Sequence, residues 1–232
     1  MPHPKLALSI LLFCSATPSV ALGQSVPSPY RFIEHSQEWA VVAGRSDLNP
    51  GQLGLGPQNA TVFGGRYALA FSGAAALDVY GVLYKATRDV LDVSRPAEDR
   101  VLGTTDFTAL LGNIRLRMNL TGQRTWRGLQ PFLAFGGGLA STLSADRLLE
   151  VEAEMPKDEW FEFGPVFTGV LAGGTNFHLS DKISLRLEGD MNLWKLGTPV
   201  GWLTVDANPL GENPQDEWVS GKSITLGAAW RF

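Results

Sequence analysis

From Lys182 onward the chain alternates: Ile183, Leu185, Leu187, Gly189, Met191 and Leu193 share one parity, while Ser184, Arg186, Glu188, Asp190 and Asn192 share the other. Successive side chains of a β-strand point to opposite faces, so this segment predicts a strand with one oily face and one charged face. Leu110, Gly112, Ile114, Leu116, Met118 and Leu120 alternate in the same way with Leu111, Asn113, Arg115, Arg117 and Asn119. A helix would scatter both sets around its circumference. The last residues keep the pattern, with Ile224, Leu226, Ala228, Trp230 and Phe232 set against Ser223, Thr225, Gly227, Ala229 and Arg231.

Read along its length, the chain predicts eight strands, at about 37–45, 62–71, 76–85, 105–120, 128–141, 162–178, 182–195 and 221–232. The connections 46–61, 86–104, 142–160 and 196–220 are long, and tight turns at 72–75, 121–125 and 179–181 separate them. Strict alternation of long and short puts every long loop at one end. Transmembrane barrels of the bacterial outer membrane are built this way, with short periplasmic turns and long extracellular loops. Their strands need only about 9–11 residues to cross, and closure satisfies the backbone where no water is present. The expectation is an all-β, eight-stranded antiparallel up-and-down transmembrane β-barrel over residues 37–232, preceded by a periplasmic N-terminal segment at 24–36. A secreted barrel of lipocalin type would turn its polar face outward. Wholly apolar faces opposite charged ones suit lipid outside better than water.

Composition fits this picture. Only 18% of residues are charged, against about 25% in ordinary soluble domains, while 44% are hydrophobic. Mean hydropathy is +0.02, too apolar for a disordered chain. Acidic residues outnumber Lys and Arg by 23 to 19, which argues against a nucleic-acid partner. At the N-terminus, Lys5 precedes the apolar run Leu6 to Cys14, and Ala21-Leu22-Gly23 sets small residues before Gln24. This is a secretory signal pattern, predicting export and cleavage after residue 23. Cys14, the one cysteine, lies inside that segment, so the mature chain would carry neither disulfide nor thiolate metal site.

The closing stretch Ile224-Thr225-Leu226-Gly227-Ala228-Ala229-Trp230-Arg231-Phe232 resembles the final strand of bacterial outer-membrane β-barrel proteins. Pro131-Phe132-Leu133-Ala134-Phe135-Gly136-Gly137-Gly138 and Leu179 to Glu188 resemble the "PFxGxGxG" and "TDxxSLRxE" stretches of the small OmpA-like and OmpX-like eight-stranded barrels of Gram-negative bacteria. The resemblance spans most of residues 37–232 and implies a barrel without specifying an activity. It implies that Trp230 and Phe232 form an assembly signal read by the barrel-assembly machinery. Trp230 stands where Tyr is commoner, and no peptidoglycan-binding domain follows Phe232, so direct tethering to the cell wall is not expected.

On this parity Arg66, Asp78, Arg115, Arg117, Arg186, Glu188 and Asp190 face inward as a lumen charge network. A narrow eight-stranded lumen is just filled by side chains, and each enclosed charge needs a partner to offset its desolvation. A structural ion-pair plug is therefore expected; a selectivity filter or proton path is the alternative. Loop 142–160 carries six carboxylates against two bases, and loop 196–220 carries four against none. Exposed beside anionic lipopolysaccharide, such loops repel it unless divalent cations bridge them. Glu150, Glu152 and Glu154, with Asp206 and Glu217, are weak cation candidates: Leu210 replaces an oxygen ligand and Pro209 and Pro214 interrupt the calcium-loop spacing.

Aromatic girdles are expected, with Trp160, Phe161, Phe163 and Trp218 at the outer boundary and Phe71, Trp126, Phe177, Trp230 and Phe232 at the inner one. No Walker loop, dinucleotide fingerprint or nucleophile elbow occurs. His35 and His178 both fall at the periplasmic end, away from where an outer-leaflet lipid enzyme needs a base. The reading is a non-enzymatic barrel without cofactor, with a structural or surface-interaction role among outer-membrane lipid and lipopolysaccharide. Its alternative is a narrow ion or small-solute channel.

Overall fold

Period-two patterning over long, β-branched and aromatic-rich segments gives strands whose two faces have different solvents. The computed structural model describes residues 28–33, 36–143, 152, 154–203 and 214–232. The segment 1–23, His35, Glu150 and Asp206 lie outside the described residues. Ten strands follow in order: β1 (Tyr30–Phe32), β2 (Gln37–Leu48), β3 (Gln58–Ala70), β4 (Ala75–Leu91), β5 (Val101–Asn119), β6 (Arg124–Trp126), β7 (Leu129–Thr142), β8 (Val166–His178), β9 (Ile183–Gly197) and β10 (Asp216–Arg231). Eight of them close into an antiparallel ring in the order β2, β3, β4, β5, β7, β8, β9, β10 and back to β2. Closure joins the two ends of the barrel sequence, Trp230 pairing with Trp39 and Arg231 with Glu38.

The oily parity faces out. Leu185, Leu187, Ile224 and Leu226 are exposed, as are Leu110, Ile114 and Met118 on β5. On five of the eight barrel strands this apolar run stops at a charged outward position, Arg45, Asp106, Lys85, Lys195 or Lys222. That is the boundary of a band suited to a hydrocarbon layer about 25 Å tall. Above it the strands continue. β4 runs to Leu91 and β5 starts at Val101, so most of the expected loop 86–104 is a paired hairpin whose connection is 92–100. Polar outward residues mask the alternation there, while Ala86, Arg88 and Val90 still point inward and are buried.

Other boundaries also differ. β3 begins at Gln58 with a register shift before Thr61. β8 begins at Val166 and not 162, because Pro165 has no N–H to give a ladder. β1 and β6 fall where a coil and a turn were expected. Arg127 and Gly128 have φ of 51° and 86°, the mirror-image turn that suits twisted hairpins, and Trp126 pairs with Leu129 across them. β1 then adds to β6 as a short antiparallel strand at the turn end. Within β7, a Cβ at Gly136 or Gly138 would run into the backbone of β5 at Ile114 or Gly112, so glycine permits the tight closure of so small a ring.

Candidate functional site in the barrel lumen

Inward parity stacks three tiers of side chains. At the turn end Arg66, Asp78, Arg115, Arg117, Arg186 and Glu188 are all buried, and the structure adds Glu38 and Arg231 to them. Parity could have found both additions, since Glu38 and Arg231 each sit beside an outward tryptophan, Trp39 or Trp230. Asp78 lies at the centre, with Arg66 Nη1 at 3.3 Å, Arg186 Nη2 at 3.6 Å, Arg117 Nε at 3.6 Å and Arg115 Nη2 at 3.9 Å. Glu188 takes Arg115 Nη1 at 2.7 Å and Arg186 Nε at 2.7 Å. Glu38 accepts from Arg66 and, at 2.9 Å, from Arg231 Nε. Two guanidiniums also lie over rings, Arg115 on Tyr80 at 4.0 Å and Arg186 on Phe132 at 3.7 Å.

A neutral polar tier follows. Thr168 donates to Asn113 Oδ1 at 2.8 Å, Asn113 to Asn192 at 3.2 Å, and Asn192 to Tyr84 at 3.3 Å. Asp190, expected in the charge network, sits in this tier and accepts from Asn192 and Ser223. Towards the loop end the lumen is apolar: Leu48, Val62, Val82, Tyr84, Phe107, Leu111, Phe163, Trp194 and Val219 form one buried cluster. Phe107 and Phe163 meet edge to face with centroids 5.5 Å apart. Phe163 was expected in the outer girdle and instead turns inward, because irregular backbone before Pro165 frees it from strand parity. Trp218, Phe71, Trp126, Phe177, Trp230 and Phe232 are exposed.

The tiers exclude water. A water-filled pore wets the groups that line it, yet Asp78 and Arg115 are 0% exposed, Val62 and Val82 1%, and Trp194 5%. Among the aromatic residues of the upper tier lies a hollow of about 20 Å³ lined by apolar and aromatic side chains, room for about one water but without the polar partners that would hold it.

Loops cover the far end. Trp202, on the single-turn helix α1 (Val200–Leu203), packs with Leu55 and Val93 and against Leu53, Leu91 and Phe161. Glu152 is buried and ion-paired to Arg88, whose guanidinium lies 5.2 Å over Phe161. Glu217 Oε1 accepts from the Gln52 backbone at 2.8 Å, and Glu154 is exposed. Two of the cation candidates are thus engaged by protein groups. Among the described residues no cluster of three His, Cys, Asp or Glu side chains could hold a metal ion. His178 contacts Gln130 at 3.1 Å and Arg231 at the turn end.

No family model matches the chain, and no curated protein does. Solved structures do. The outer-membrane protein OprG of Pseudomonas aeruginosa superposes with a TM-score of 0.52 at 11% identity, over 86% of this chain and 98% of that one. Neisserial surface protein A, from Neisseria, gives a TM-score of 0.48 at 12% identity, over 88% of this chain and 98% of that one. The chain therefore has the fold of the small outer-membrane β-barrels, closed from eight antiparallel strands.

Proposed function

We propose that this chain is a non-conducting integral barrel of the bacterial outer membrane, exported by a cleaved signal, whose role is structural or surface-directed and non-enzymatic. The observation that carries this reading is the water-excluded lumen, ionic at one end and aromatic at the other. An ion crossing it would have to displace paired arginines and then desolvate against Phe107 and Trp194, a large penalty in a low-dielectric path. The outward apolar band supports insertion in lipid, and the exposed Trp230 of β10 and Phe232 just after it suit recognition by the barrel-assembly machinery. The packed cap around Trp202 supports a presented surface in contact with lipopolysaccharide or an extracellular ligand.

Planar-bilayer recording of the refolded protein is expected to give no unitary steps. Stable steps that change on Arg115→Gln or Glu188→Gln would replace this reading with the channel. Mass spectrometry of protein from the membrane fraction is expected to find Gln24 as the first residue; an uncleaved chain would remove the export step as written.

A further inference from the structure

The ionic tier is not balanced. Arg66, Arg115, Arg117, Arg186 and Arg231 face the three carboxylates of Glu38, Asp78 and Glu188, all of them buried. Five guanidiniums present about 25 N–H donors, and three carboxylates offer about 12 acceptor sites. Asp190 adds a fourth carboxylate one tier away, where Asn192 engages it, and an excess of positive charge still remains. Buried charge of one sign calls for a counter-ion.

All five arginines keep a buried nitrogen without an acceptor, and those of Arg117 and Arg231 lie beside a cavity. Among the described residues Arg117 forms ion pairs only at 3.6 and 3.7 Å, to Asp78 and Glu38, and its buried Nε and Nη1 meet no hydrogen-bond acceptor. Its side chain is 7% exposed. Arg231 Nη1 likewise has no acceptor. Both arginines line one cavity of about 50 Å³ at the turn-end mouth, together with Asn119, Gln130, Asn176 and Glu38. Amide groups ring the arginines there, and their N–H groups can complete the coordination of an oxyanion that the guanidinium forks hold.

We infer that the turn-end mouth is a binding site for a small oxyanion of phosphate or carboxylate type, held by Arg117 and Arg231 on the nitrogens that Glu38 leaves unpaired. The lining residues belong to β2, β3, β5, β7, β8 and β10 and to the segments beside their turns, so the ligand enters from the aqueous side of the turns. The same chemistry is carried by a free ion and by a lipid headgroup reaching over the rim.

The test uses the full chain refolded in phosphatidylcholine nanodiscs and titrated with inorganic phosphate by calorimetry and thermal unfolding. Saturable uptake and a raised unfolding midpoint are expected, with chloride at equal ionic strength producing neither. Arg117→Gln should weaken uptake by at least about tenfold, and Arg117→Lys should retain part of it. Asn119→Asp supplies the missing carboxylate within the cavity, so it should raise the midpoint without phosphate and abolish uptake. This variant adds a counter-charge rather than removing one, so it reads the site even where Arg117→Gln does not fold. Phosphatidylglycerol discs without phosphate form the lipid arm; stabilisation there that Asn119→Asp abolishes supports the site with a headgroup as occupant. No saturable uptake in either arm, or uptake unchanged in Asn119→Asp, overturns the site.

Discussion

Asp78 meets four arginines within 3.9 Å while being closed to solvent, so its charge is the hub on which the lower lumen depends. Removing one partner of a buried ionic cluster leaves the others uncompensated, typically at about 3–5 kcal/mol. Asp78→Asn is expected to lower the urea stability of the refolded barrel by that amount, and a loss below about 1 kcal/mol would show the arginines to be hydrated instead. A milder case lies in the loop between β4 and β5. The Ser94 hydroxyl and backbone N–H, with Arg95, hold the Asp92 carboxyl below its ordinary value of 3.8. Because the folded value is depressed, its contribution is present above about pH 3.8 and is lost as pH falls through the lower folded value. Carbon-13 NMR of the Asp92 side chain should show titration below 3.8, whereas a midpoint at or above it would mean that Ser94 does not donate. These pairings connect distant positions, Arg115 with Glu188 for example. Parity made them inward-facing, but which carboxylate meets which arginine depends on strand stagger that no local pattern encodes.

At the level of the element, each strand is a boundary between two media, and its two faces tolerate different changes. Leu187 and Leu226 pair across β9 and β10 on the outer face. An arginine near the bilayer midplane costs about 2–4 kcal/mol, whereas one near the interface costs little. Leu187→Arg is therefore expected to reduce folding stability in phospholipid vesicles by about that range, read by tryptophan fluorescence against denaturant. Stability unchanged within about 0.5 kcal/mol would place Leu187 outside the hydrocarbon. Alternation located all eight crossing strands, yet it shortened β4 and β5, because above the bilayer the outward face becomes polar too and Arg88 and Thr105 interrupt the apolar inward one. The β1–β6 pair escaped for another reason: three-residue strands have no readable period, and only Gly128 after Arg127 hinted at the turn.

For the whole molecule, side-chain volume and ring size act together. Eight strands enclose a lumen that side chains just fill, and here an ionic, a neutral polar and an apolar filling sit end to end beneath a cap that includes Trp202. The proposed absence of conductance rests on that geometry. The sequence by itself determined the class of fold, the outward face and the end at which the long loops lie, because a period of two is a local property and lipid outside demands one apolar parity throughout. Parity already turns Glu38 and Arg231 inward, but tertiary structure alone decided which charges they meet, that Phe163 turns inward, that Glu152 pairs with Arg88 instead of waiting for a cation, and that Arg117 keeps buried nitrogens without acceptors. Each is a meeting of residues far apart in the chain, set by barrel closure and register, and contact across a closed ring leaves no trace in the order of its parts.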